Sequence, residues 1–182
     1  GDGDLVITDI NGGVSDDNLT IEDDGTYYII TDTGSLAVTS NIAGAETLAG
    51  NSVRVLKASV TGGLIVDTLA NAADSVTLQG TGAFVFAGDV SIDAETINLN
   101  QSLSTAADKD ITFTGAVSLG TDATVSGNDV SFSSTIDGAH SLTVDTSNNG
   151  TTTFSGAIGS ITDLTAITTN ADGTLSIGGD IT

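Results

Sequence analysis

The sequence predicts an all-β chain wound as a parallel β-helix (β-solenoid) of about 20 residues per coil. Three observations carry this. Short apolar-polar alternations bounded by Gly, Asn, Asp or Ser run from one end to the other, with almost no helical periodicity between them. A unit of large apolar, small and β-branched residues recurs through the second half, and a second apolar series follows it at a nearly constant offset.

In chain order the alternating pairs are Leu5 and Ile7, Leu19 and Ile21, Tyr28 and Ile30, Leu36 and Val38, Val53 and Val55, Leu64 and Val66, and Val76 and Leu78. Each pair places its side chains on one face of a strand, because successive Cβ atoms point to opposite sides. The recurring unit then reads Phe86-Gly88-Val90, Phe113-Gly115-Val117, Phe132-Ser134-Ile136, Phe154-Gly156-Ile158 and Ile177-Gly179-Ile181. Its leading residues stand 27, 19, 22 and 23 positions apart, and Leu99, Val125, Val144 and Ile167 follow the first four by 13, 12, 12 and 13. The long first interval predicts an insertion between Ala94 and Asp110.

A coil of this length holds three short strands, each stacked on its counterpart in the next coil. Phe, Val, Ile and Leu then form inward rows, Gly or Ser turns the corner where a larger side chain would collide, and Thr, Ser and Asn line the outside. The competing fold is a tandem β-sandwich, which has similar strand spacing but no reason for a phased Phe series. Residues 1–80 are less regular and read as an irregular part of the solenoid or a separate β module, and residues 81–182 as regular β-helix repeats.

The chain has 24 acidic residues against Arg54, Lys57 and Lys109, a formal net charge of −21. Phosphate contacts need clustered Lys and Arg, so nucleic acid is excluded as a partner, and anionic membranes are equally unsuited. Water and divalent cations are what such a surface favours. There is no Cys, so disulfides, zinc-thiolate centres and thiol nucleophiles are ruled out, and no apolar run is long enough for a membrane span. The lack of Met marks the chain as a piece of something longer.

The run Thr152-Thr153-Phe154-Ser155-Gly156-Ala157-Ile158, continued by Leu164-Thr165-Ala166-Ile167-Thr168-Thr169-Asn170 and Leu175-Ser176-Ile177-Gly178-Gly179-Asp180-Ile181, resembles the β-helical repeats of giant filamentous-haemagglutinin-like and autotransporter-like bacterial surface proteins. The resemblance covers residues 75–182. It implies a right-handed parallel β-helix, secretion to the cell surface, and a structural role as a rigid spacer or a self-assembling extracellular fibre unit that stacks head-to-tail on itself or on neighbouring repeats. The alternative is an adhesin module that binds a cell-surface glycan. It implies no catalytic residue and no enzyme.

Among individual residues, the aspartates at the start and one asparagine offer hard oxygen ligands of the kind calcium takes: Asp2, Asp4, Asp9, Asn11, Asp16, Asp17, Asp23 and Asp24. Asp9, Asn11, Asp16 and Asp17 are the candidate metal ligands, although the closing bidentate Glu of an EF-hand is missing and the flanks are strands. Solvated turn aspartates are the competing reading. Nothing requires a cofactor; calcium is the one metal this set suits. Arg54 and Lys57 read as a surface pair neutralising nearby acids, and His140, the only histidine, as a solvated turn residue without a partner for metal or triad chemistry.

Overall fold

Period-two alternation lets a strand bury one row of side chains while its edges bond to the strands beside it, and a coiled chain supplies those neighbours from its own previous and next turns. The computed structural model describes residues 3–8, 16–34, 42, 44–68, 73–170 and 173–182, and shows a β-solenoid of about five turns with parallel strands roughly 22 residues apart. The alternating pair Leu36 and Val38 lies outside the described residues. Strand neighbours on the coil faces are parallel and come from successive coils, which excludes the tandem sandwich.

The strands are β1 (Leu5–Thr8), β2 (Asn18–Asp23), β3 (Tyr27–Asp32), β4 (Glu46–Leu48), β5 (Ser52–Leu56), β6 (Leu64–Asp67), β7 (Ser75–Gly80), β8 (Phe84–Phe86) and β9 (Val90–Leu99). They continue as β10 (Leu103–Thr105), β11 (Ile111–Leu119), β12 (Ala123–Gly127), β13 (Val130–Phe132), β14 (Ile136–Asp137), β15 (Ser141–Thr146), β16 (Thr151–Phe154), β17 (Ala166–Thr169) and β18 (Thr174–Ile177). Face one stacks β1, β6, the first half of β9, the first half of β11, β13, β16 and β18. Face two stacks β2, β7, the second halves of β9 and β11, and β14, then continues through single bridges at Ile158 and Ile181. Face three stacks β8, β10, β12, β15 and β17.

The inward rows follow from this register. Val66, Ile92, Phe113, Phe132, Phe154 and Ile177 form one, and Val76, Ile97, Val117, Ile136, Ile158 and Ile181 another. The rings of Phe113, Phe132 and Phe154 stack at centroid distances of 4.9 and 5.4 Å, within the favourable range for offset aromatic pairs. Between faces one and two the corner is a column of small residues: Ala94, Gly115, Ser134, Gly156 and Gly179. Gly115 has φ +131°, and a Cβ there would lie 1.7 Å from the Ala94 carbonyl oxygen. The small middle residue of each repeat unit is thus required by contact with the coil before it.

The register corrects the phasing of the first unit. Phe86 belongs to face three, where it pairs with Thr105, and Gly88 is followed by the start of face one. The counterpart of Phe113 is Ile92, not Phe86, so no insertion separates Ala94 from Asp110; that stretch is ordinary coil. Leu99 likewise pairs with Leu119 on face two, while Val125 stacks on Leu103 and Val144. A Phe-x-Gly-x-Val pattern suits either corner, so it could not tell the two apart.

Parallel stacking is already running at β6 and β7, and the irregular part is the stretch between β1 and β6. There β3 pairs antiparallel with β2, β5 with β3, and β4 with β5. Tyr28 of β3 lies over Phe84 and Phe86, with ring centroids 5.7 and 5.4 Å away. This covers the first strand of face three with an aromatic from the antiparallel strands.

Replacing Phe132 by Ala leaves a cavity between two stacked rings and is expected to cost about 3–5 kcal/mol in denaturant unfolding, whereas Ser131→Ala on the outward face stays within about 0.5 kcal/mol. Gly115→Ala combines a strained φ with a backbone collision. It is expected to cost roughly 2 kcal/mol or more in the same measurement.

Candidate functional site

The acidic residues take most of their partners from backbone N–H groups. At the start of face one, Asp4 Oδ1 accepts the Gly63 N–H at 2.5 Å, Asp89 Oδ1 the Asp110 N–H at 3.0 Å, Asp110 Oδ1 the Asp129 N–H at 3.0 Å, and Asp129 Oδ1 the Thr151 N–H at 2.7 Å. Each carboxylate therefore satisfies a donor of the adjoining coil that no strand ladder reaches. At the turn from β2 to β3, Asp24 Oδ1 accepts from Tyr27 N–H at 2.7 Å and Thr26 N–H at 2.8 Å, bonds that hold its carboxyl below the ordinary range.

Of the four candidate metal ligands, Asp9 and Asn11 lie outside the described residues. Asp16 is exposed, and its Oδ1 accepts the Ala73 N–H at 3.2 Å. Asp17 is buried at the mouth of β2 and donates its N–H to Asp74 Oδ1 at 2.7 Å. Asp74 in turn donates its own N–H to Glu95 Oε2 at 3.2 Å. The corner between faces one and two thus gathers Asp16, Asp17, Asp74 and Glu95 from three separate stretches of chain. Asp74 and Glu95 belong to later coils than Asp17, so no local spacing could have joined them to it. Among the described residues, no group of three or more Asp, Glu or His already converges as a metal centre.

The cationic side chains are engaged elsewhere. Arg54 binds Glu46 through Nε at 3.0 Å and Nη2 at 2.6 Å, with its guanidinium 4.7 Å from the Tyr27 ring centroid. Lys57 Nζ contacts the buried Asp23 carboxylate and sits 5.1 Å from the Tyr28 ring centroid. Lys109 lies 3.7 Å from Asp108, and His140, half-exposed in its turn, lies 3.7 Å from Asp122. Arg54 and Lys57 each face a carboxylate of their own, as a pair neutralising acids requires.

A shallow groove lies along Thr105, Ser126, Asp145, Thr146 and Ser147. Three of its four hydroxyls are committed: Thr105 donates to Lys109 O at 2.9 Å, Ser147 to Ala107 O at 2.5 Å, and Thr146 to Asn170 Oδ1 at 2.9 Å. The acidic corner is therefore the candidate site, and its chemistry is that of hard oxygen ligands.

No protein-family model, curated protein or solved structure matches this chain.

Beside the Lys57–Asp23 contact, burial pushes the Tyr28 phenol up to about 12, with the Asp23 charge adding to it. The fold favours the neutral phenol, so this contribution to stability is complete below about pH 10, where the unfolded chain begins to ionise. It falls as pH rises from there and is lost once the folded phenol ionises at about 12. An alkaline titration followed by phenolate absorbance should show one tyrosine that stays neutral through pH 11 until the protein unfolds; full ionisation of both in folded protein near pH 10 contradicts the burial.

Proposed function

We propose that this chain is a rigid structural segment of a large secreted surface protein, a spacer built of stacked coils, and not an enzyme. The observation that carries the reading is the unbroken parallel register of face one from Leu64 through Val90, Ile111, Val130 and Thr152 to Leu175. Each coil adds about 4.8 Å of length and is bonded to its neighbour on every face, which makes a stiff rod whose length scales with its repeats. The resemblance of residues 75–182 to surface-protein repeats and the strongly acidic composition support an extracellular setting.

The two ends differ. At one, β2 to β5 occupy the edge of face two and Tyr28 covers face three. At the other, Leu175, Ile177 and Ile181 are 47%, 47% and 49% exposed, while their row partners Thr152, Phe154 and Ile158 are buried. Open parallel edges accept a further repeat, whereas the covered end gives a second copy no matching edge on face two. The antiparallel strands beside β2 favour a spacer over head-to-tail stacking of identical copies into fibres.

Electron microscopy of the purified protein at high concentration, with and without a calcium chelator, tests this. Short separate rods under both conditions are expected. Filaments formed by the protein alone overturn the spacer in favour of a self-assembling fibre.

A further inference from the structure

The aspartates of the face-one ladder are matched to backbone donors, whereas Asp74 has only one of its two buried oxygens so matched. It is 1% exposed; Oδ1 takes the Asp17 N–H at 2.7 Å, and Oδ2, also buried, has no hydrogen-bond partner among the described residues. A buried acceptor without a partner is destabilising, and more so when it is charged. Its surroundings add negative charge. Asp17 is 6% exposed, Asp16 reaches the backbone of Ala73, and Glu95 reaches the backbone of Asp74 itself. All four basic side chains of the protein pair elsewhere, with Glu46, Asp23, Asp108 and Asp122. No basic side chain of the protein is therefore available to this corner, and a cation balancing it would come from solution.

We propose that the corner is a calcium site, with Asp74 Oδ2 as its buried anchor and the exposed Asp16 and half-exposed Glu95 carboxylates drawn onto the ion as it binds. Because three carboxylates do not already converge there, the remaining positions fall to carbonyl oxygens and water. Calcium tolerates such an irregular oxygen shell, whereas magnesium demands near-octahedral geometry and gives up water reluctantly. The ion ties together the entry to β2, the entry to β7 and the bend of β9. Binding thus clamps the antiparallel strands onto the first coils, and it stands independently of the spacer reading.

The test is calorimetric titration of the chelator-stripped protein with calcium chloride, together with thermal unfolding in calcium, in magnesium at equal ionic strength, and in chelator. The expected result is stoichiometric binding and a rise in Tm specific to calcium. Asp74→Asn keeps an acceptor for the Asp17 N–H but removes the charge, and should weaken calcium binding by about tenfold or more and abolish the Tm rise. Glu95→Gln, on a different strand, should also weaken binding and decides the matter if the first variant does not fold. No binding heat from the wild type, an equal Tm rise in magnesium, or wild-type affinity in a folded Asp74→Asn or Glu95→Gln protein overturns the proposal.

Discussion

Everything in this molecule depends on the backbone ladder between successive coils. Because parallel strands sit about 4.8 Å apart, a residue in a stacked inner strand has its counterpart directly above and below it, and each such position must be compatible with copies of itself. Apolar residues meet this condition easily: the Phe113, Phe132 and Phe154 rings stack, and Ile136, Ile158 and Ile181 continue a column from β-branched neighbours. At the first corner the condition becomes severe, and the column Ala94, Gly115, Ser134, Gly156 and Gly179 holds only Ala, Gly and Ser. A repeat spacing that varies from one unit to the next in the second half is tolerated because turns absorb the difference while the stacked positions stay in register.

The same condition ought to penalise acid, and the chain carries a great deal of it. The column Asp89, Asp110 and Asp129 puts like charges in successive coils, which is unfavourable in isolation. Each is compensated by an N–H from the next coil, and Asp110 also receives the Asn128 side-chain amide at 3.0 Å. The carboxylates replace ladder bonds at the point where the strand begins. Their negative charge follows from where the backbone leaves donors over, and the acidic surface is partly a by-product of how the coils are started.

A solenoid has ends, and the antiparallel strands deal with one of them. Tyr28 lies over the Phe84 and Phe86 rings, and the phenol ring's other neighbour is the Lys57 ammonium, itself bound to the buried Asp23. An aromatic, a cation and a carboxylate thus meet where the regular core begins, shielding apolar surface that a coil would otherwise cover. Reversal of strand direction at β3 and β5 means that the next strand in line does not present a parallel edge.

Much of this was legible in the residues themselves. Alternation set the strands, the phased Phe and β-branched residues set the parallel stack, and glycine at the unit's centre marked its corner, because these are local demands of backbone and side-chain volume. What the sequence could not decide was which corner a given glycine turns, since Phe86-Gly88-Val90 and Phe113-Gly115-Val117 obey the same local rule while Phe86 stacks on Thr105 and Phe113 on Ile92. Nor could it join Asp74 and Glu95 to Asp17, because contacts between such distant stretches of chain exist only once β2 lies on β7 and β7 on β9. Composition and period determined that the chain would coil. Tertiary stacking alone decided which carboxylate oxygens would be matched to a backbone donor and which would be buried without one.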